Sequence, residues 1–243
     1  MKLTSYVCIG NTNGKHDKLI LPAGDVLIHT GGYTTCWVPD GVISSKKVFN
    51  TLSPEPPDDI IDWMHEQPFK YKLMVPSFRD VVTVSDFDFY KHKFNKAGIK
   101  VGILECMTIA GIGVGCYNYR AKYYNQNDLL PNSPLLIHTQ HLNILSSIGV
   151  PHNLDILITI PLTTAETINY VPNDPKRSNP HHDVIFNLVP RICLFSGAET
   201  GKTLPVKIID TTCYNTSVWY ENKQVSDIVQ FYIAAGGPKY DMV

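Results

Sequence analysis

Charge is what this chain has least of. Charged side chains make up 18% of its 243 residues, against about a quarter in an ordinary soluble domain. The two signs nearly cancel, 21 Lys and Arg against 22 Asp and Glu, for a formal net charge of −1. Without a basic field to draw in nucleic acid or an anionic membrane, neither is expected as a partner. The same balance removes the repulsion that keeps copies of a protein apart. Long apolar runs are also missing. None approaches the ~18 residues of a membrane-spanning helix, and the apolar start at Met1 is too short for a secretory signal before it meets Gly10-Asn-Thr-Asn-Gly14. The cysteines, at 8, 36, 106, 116, 193 and 213, contain no C-x-x-C pair, which argues against a zinc knuckle. Cys8, Cys106 and Cys193 sit in apolar runs and read as reduced core thiols of a cytoplasmic protein. The sequon at Asn215-Thr216-Ser217 has no meaning without secretion. No repeat and no linker divides the chain.

What is present is a sizeable apolar fraction, 44%, cut into short pieces. Apolar runs at 6–9, 26–29, 72–75, 81–84, 100–104, 154–158, 191–195 and 206–209 end at Gly, Pro, Asn or another polar residue. Their length and β-branched content predict buried strands. Between them, Ser53-Pro-Glu-Pro-Pro-Asp-Asp59 reads as a cap for a helix over 60–65. Residues 133–145 predict a second helix, with Pro134 in its first turn and Gly149-Val-Pro151 as its stop. The polar stretch 171–183 reads as a loop. One α/β domain over 1–243 follows.

Several local patterns suggest chemistry and fail on context. Ser196-Gly-Ala-Glu-Thr-Gly-Lys-Thr203 departs from a phosphate-binding loop only at its first position. That loop must open a helix, whereas Leu204-Pro-Val-Lys-Ile-Ile209 reads as a strand. Gly111-Ile-Gly-Val-Gly115 has the wrong spacing for a dinucleotide loop and reads as a tight strand end. His181-His182-Asp183 lies in the polar loop, and His138 and His141 lack a third zinc ligand. No nucleophile–base pair can be named from the sequence.

The segments Tyr6-Val-Cys-Ile-Gly-Asn-Thr-Asn-Gly14 and Leu21-Pro-Ala-Gly-Asp-Val-Leu-Ile-His-Thr-Gly-Gly-Tyr-Thr34 carry more. They resemble the first two motifs of calcineurin-like metallophosphoesterases, in the branch called metallophosphoesterase-domain-containing proteins. Those blocks read roughly V-C-I-S-D-T-H and P-x-G-D-V-L-L-H-A-G-D-x-T. The resemblance continues over about 5–220. Trp63-Met64 precedes Phe69-Lys-Tyr-Lys-Leu-Met-Val-Pro76 and Ser77-Phe-Arg-Asp80, where the family has a strand ending G-N-H-D or G-N-H-E. Leu154-Asp-Ile-Leu-Ile-Thr159 matches D-I-L-I-T-H, Phe195-Ser-Gly-Ala-Glu-Thr-Gly201 matches F-G-H-x-H-E-G, and Tyr214-Asn-Thr-Ser217 matches I-N-A-S.

The resemblance implies a sandwich of two mixed β-sheets flanked by helices, and a two-metal cleft whose ligands are gone. Asn11 replaces the first Asp, Asn13 a His and Gly32 the bridging Asp. Phe78 replaces the ligating Asn, and Arg79 the His that assists the leaving group. Ile160, Gly197 and Glu199 stand where three further His residues belong. Two dications about 3.5–4 Å apart need carboxylates and imidazoles to offset their repulsion. Glu199 alone offers a carboxylate, and Arg79 is a fixed cation. The expectation is a pseudoenzyme with no metal and no cofactor, structural or self-assembling, with a homodimer as default unit. The alternative is a binding module whose remnant cleft takes a nucleotide, small anion or protein, with Arg79 as the anion-binding residue unless it pairs with Glu199 or Asp80. A phosphodiesterase with an atypical metal site is the third reading. Of the retained residues, His29 reads as a hydrogen-bonded core histidine, Asp25 as a turn cap and Asp155 as a turn residue before its strand.

Overall fold

The computed structural model describes residues 3–34, 57–77, 80, 83, 86–117, 154–159, 188–196, 205–208, 210–220, 223–224 and 227–234. The expected helix over 133–145, the loop 171–183, and His138, His141, His152, His181, His182, Asp183 and Cys36 lie outside them.

The short apolar runs become two mixed sheets. The first contains β1 (Leu3–Ile9), β2 (Val26–His29), β3 (Tyr71–Met74), β4 (Lys100–Val101) and β13 (Val229–Ala234), in the order β13-β1-β2-β3-β4. Strands β1 to β4 are parallel, and β13 is antiparallel to β1. The second sheet has the order β5-β6-β7-β8-β10-β9. Its strands are β5 (Leu104–Ile109), β6 (Ile112–Tyr117), β7 (Ile156–Thr159), β8 (Ile192–Phe195), β9 (Val206–Ile208) and β10 (Thr211–Asn215). Its four inner strands run parallel, with β5 and β9 antiparallel at the two edges. A small ladder, β11 (Trp219–Tyr220) with β12 (Lys223–Gln224), stands apart. The sheets pack face to face over Tyr6, Cys8, Val26, Ile28, Val114, Cys116, Ile156, Ile158, Leu194 and Phe231.

Helix α1 (Asp58–Glu66) and helix α2 (Phe87–Lys96) cover the outer side of the first sheet. Asp58 and Asp59 occupy the first turn of α1, where the helix dipole favours anions. Ile60, Ile61 and Met64 form its buried stripe against Val7, Leu27 and Met74. The residue before its first turn is Pro57, and no side chain caps it there. Helix α2 closes in a Schellman turn: Gly98 N donates to Asn95 O and Ile99 N to Phe94 O, with Ile99 buried.

Three readings change. The run 100–104 is not one strand. It ends β4 in one sheet and begins β5 in the other, with Gly102 and Ile103 between. In the run 81–84, Thr83 is helical. The glycine run 111–115 is a tight strand end only at its first residue. Gly111 completes the β5–β6 turn, and Gly113 and Gly115 lie inside β6.

Candidate functional site

The ends of β1, β2, β3, β8 and β10 converge on one edge of the sandwich. After β1 the chain passes through Asn11 at φ 46° and Asn13 at φ 48°. Asn is among the L-residues most at ease in this left-handed region. After β2 it passes through Gly31 at φ 90° and Gly32 at φ 72°. The two loops run side by side: Asn11 N donates to Gly31 O (2.8 Å), Asn13 N to Gly32 O (3.0 Å) and Gly14 N to Tyr33 O (2.6 Å). Both Asn amides reach the segment after β10. Asn11 Nδ2 donates to Ser217 Oγ at 3.0 Å and Asn13 Nδ2 to Trp219 O at 3.3 Å.

Gly32 faces Asn11 so closely that a Cβ built on it would lie 2.1 Å from Asn11 Oδ1 and 3.1 Å from Asn11 Cα. No side chain fits at residue 32 while Asn11 holds this position.

A fully buried carboxylate holds the loop after β2. Asp80 Oδ2 accepts from Gly32 N (2.8 Å), Ser77 N (2.7 Å) and Ser77 Oγ (3.1 Å), and Oδ1 accepts from Tyr33 N (3.0 Å). Burial raises its carboxyl above the ordinary range and outweighs these four bonds, which favour the charged form. Both Asp80 oxygens thus accept from the chain after β2 and β3, and the expected alternative of an Asp80 ion pair with Arg79 falls on a residue outside the described ones.

His29, at the end of β2, is completely buried. Gly31 N donates to its Nδ1 at 3.1 Å, so Nε2 carries the proton and donates to Thr12 Oγ1 at 3.1 Å. Burial pushes this imidazole down to about 3, helped by nearby His16. The expectation of a hydrogen-bonded core histidine holds. Asp25 bonds to β1. Its Oδ2 accepts from Ser5 N and Ser5 Oγ, tying the start of β2 to β1. Asp155, just before β7, accepts from Gly113 N and Arg191.

Beneath these loops, hydroxyls join the two sheets. Thr30 Oγ1 and Thr216 Oγ1 are 2.6 Å apart, Thr216 Oγ1 donates to Phe195 O, and Ser196 Oγ donates to Thr30 O. Val218 N donates to Gly10 O, carrying the chain from the second sheet back to β1.

Of the eight residues singled out in the sequence, Asn11, Asn13 and Gly32 come together here. Phe78, Arg79, Ile160, Gly197 and Glu199 lie outside the described residues. Sequence reasoning missed the structural weight of Asp80, Thr12, Thr30, Ser77, Ser196 and Thr216. Their one legible signal was polar residues at strand ends, which any loop would also show.

No protein-family model matches the chain. It is 24% identical to Metallophosphoesterase domain-containing protein 1 of Homo sapiens over 177 residues, covering 64% of this chain and 48% of that protein. The Mus musculus protein of the same name gives the same figures. The chain is thus distantly similar to the metallophosphoesterase domain-containing proteins. It spans about half the length of the curated relatives it matches. A solved crystal structure overlays with a TM-score of 0.53 at 14% identity, covering 88% of this chain and 90% of that one, which shows a shared fold alone; the two mixed sheets with outer helices are consistent with a metallophosphoesterase-like sandwich.

A metallophosphoesterase cleft implies two divalent ions. The described residues at the matching positions do not fit them. Asn11 and Asn13 are neutral amides bonded to their own chain, and Gly32 has neither a side chain nor space for one. Among the described residues no group of three or more His, Cys, Asp and Glu side chains is placed to hold a metal ion. Among them also, no helix is long and apolar enough to cross a membrane.

Proposed function

We propose that this chain keeps the metallophosphoesterase sandwich without its two-metal hydrolysis, and that it serves as a non-catalytic, self-associating protein. One observation carries the first half: the Asn11 amide fills the space that a bridging carboxylate at residue 32 would need. The loss is therefore not a gap awaiting one substitution. The amide, the left-handed backbone at 11 and 32 and the bond to Ser217 support one another. Support for the second half comes from composition. A net charge of −1 with few charged residues tolerates contact between copies, and closed two-fold dimers are the commonest assembly.

Elemental analysis of the purified protein, with an assay of bis-p-nitrophenyl phosphate hydrolysis in added manganese, tests this. Substoichiometric metal and no turnover are expected. Near-stoichiometric manganese, iron or zinc together with turnover would overturn the reading. Gly32→Ala probes the packing itself. It forces a left-handed alanine against Asn11 and is expected to cost about 2 kcal/mol or more in denaturant unfolding. An unchanged midpoint would show that the loop yields and that a side chain fits after all.

A further inference from the structure

Among the described residues the two main sheets have four edges, and three are guarded. Strand β4 is two residues long and begins with Lys100. Strand β9 is three residues long, follows Pro205 and carries Lys207. On β5, Glu105 pairs with Lys91 of α2 at 2.6 Å. Short length, proline and charge are the usual means by which proteins keep sheet edges from pairing with other chains. Strand β13 has none of them. It runs six residues, Val-Gln-Phe-Tyr-Ile-Ala, with no proline and no Asp, Glu, Lys, Arg or His. Among the described residues, no strand pairs with its far side.

The strand is also held firmly from within. Phe231 and Ile233 lie in the core between the sheets. The Phe231 ring stacks on Tyr6 at 5.3 Å and on Tyr214 at 5.9 Å. On the opposite face, Tyr232 is 60% exposed and Leu3 of β1 is 58% exposed. The register puts Leu3 opposite Ala234 and Tyr232 opposite Ser5, so these two large side chains are diagonal neighbours on one surface. The helices that cover β1 to β4 do not bury this corner. An apolar patch thus borders an edge that no described strand pairs with.

We propose that β13 is a self-pairing edge, on which a second copy of this chain adds its own β13 antiparallel to make one continuous sheet across both copies. The proposal rests on the self-association reading above and names its surface. A second copy is the occupant that fits. An antiparallel strand pair is its own two-fold partner, since each strand offers the same row of N–H and C=O groups to the other. A strand without charges meets no like charge when it faces itself, and it offers nothing to recruit a charged partner. The antiparallel β1–β13 pair simply continues outward. Tyr232 and Leu3 of the two copies would then border the new seam, an aromatic and aliphatic pairing typical of interface cores.

Sedimentation velocity over a wide concentration range tests this on wild type, Tyr232→Lys and Phe89→Lys. Phe89 is an exposed residue of α2 and serves as the control. Wild type is expected to dimerise, Tyr232→Lys to raise the dimer dissociation constant at least tenfold, and Phe89→Lys to leave it unchanged. Hydrogen exchange on wild type gives a readout that does not depend on the variant folding: amides of 229–234 should gain protection as concentration rises. A wild-type dimer that Tyr232→Lys does not weaken, or whose β13 amides stay unprotected, overturns the edge but leaves self-association standing. Wild type that stays monomeric throughout overturns both. A monomer whose β13 amides are protected only by an added strand-forming peptide of unrelated sequence assigns the edge to a foreign strand and overturns the proposal.

Discussion

A single imidazole shows how the loops after β1 and β2 depend on protonation. His29 accepts from Gly31 N through Nδ1 and donates to Thr12 through Nε2, with no exposure to water. Protonation would set a ring N–H against the Gly31 N–H and bury an uncompensated charge. The folded group is pushed down from 6.5 to about 3 by burial. The unfolded chain therefore binds the proton first as pH falls, and stability is complete above the unfolded value and declines below it. Unfolding free energy is expected to fall by up to about 1.4 kcal/mol per pH unit from about 6.5 towards about 3. His16 adds to the same trend, since burial lowers it while Asp59 and Asp17 oppose. Urea titrations across that window check the slope. His29→Gln keeps a donor and an acceptor and should flatten it, and an unchanged slope in that variant would remove His29 as the cause. The sequence placed His29 inside an apolar strand and so made its burial legible. It did not show Thr12 or Gly31 as partners, because those contacts arise only when the two loops lie side by side.

At the scale of elements, the apolar runs marked β1 to β4 and β7 to β9 but missed β6, β10 and β13, and sheet allegiance was not legible. The runs 26–29 and 191–195 appear as β2 and β8 almost residue for residue. The run 100–104 serves two sheets, which no one-dimensional apolar pattern can express. Helix α2 escaped notice because only Phe94 of its ten residues is buried, so its 3.6-residue stripe is too thin to read. The β5–β6 hairpin was hidden by its glycines. Its two turn residues, Ala110 at φ 53° and Gly111 at φ 81°, both lie in the left-handed region, the geometry of a type I′ turn. Glycine is suited to the second position and alanine is ill-suited to the first. Ala110→Asn would create the favoured Asn-Gly pair and is expected to stabilise the protein by about 0.5–1 kcal/mol. A midpoint in chemical denaturation that stays put or falls would show that the turn is not limiting or is shaped otherwise.

Across the whole molecule, the cleft edge of the sandwich is stitched by neutral groups. Thr30 belongs to the first sheet's loop, Thr216 and Ser196 to the second's, and their hydroxyls bond across the junction. In a two-metal enzyme, ions and their ligands bridge this region. Here the buried hydroxyls do so, together with the Asn11–Ser217 contact. Thr216→Val keeps the shape and removes both hydroxyl bonds, while the Phe195 carbonyl keeps the residue 216 N–H and the Thr30 hydroxyl keeps Ile9 O. A loss of about 1 kcal/mol is expected. Thermal melts of wild type and variant, each with and without chelator, check both the cost and its cause. A variant as stable as wild type would show that the sheets hold together by apolar packing alone.

The sequence by itself determined the fold class and the chemical poverty of the cleft positions. Apolar period and strand-ending Gly, Pro and Asn are local properties, and an Asn, Gly or Phe has no carboxylate wherever it lies. Tertiary structure alone decided that Gly32 has no space for a side chain while Asn11 holds its place, because the obstacle lies 21 positions away in the chain. It alone decided which strand stands at the edge of its sheet among the described residues. The order of strands in a sheet depends on crossovers and packing between distant segments, and no local pattern in 229–234 distinguishes an edge from a centre.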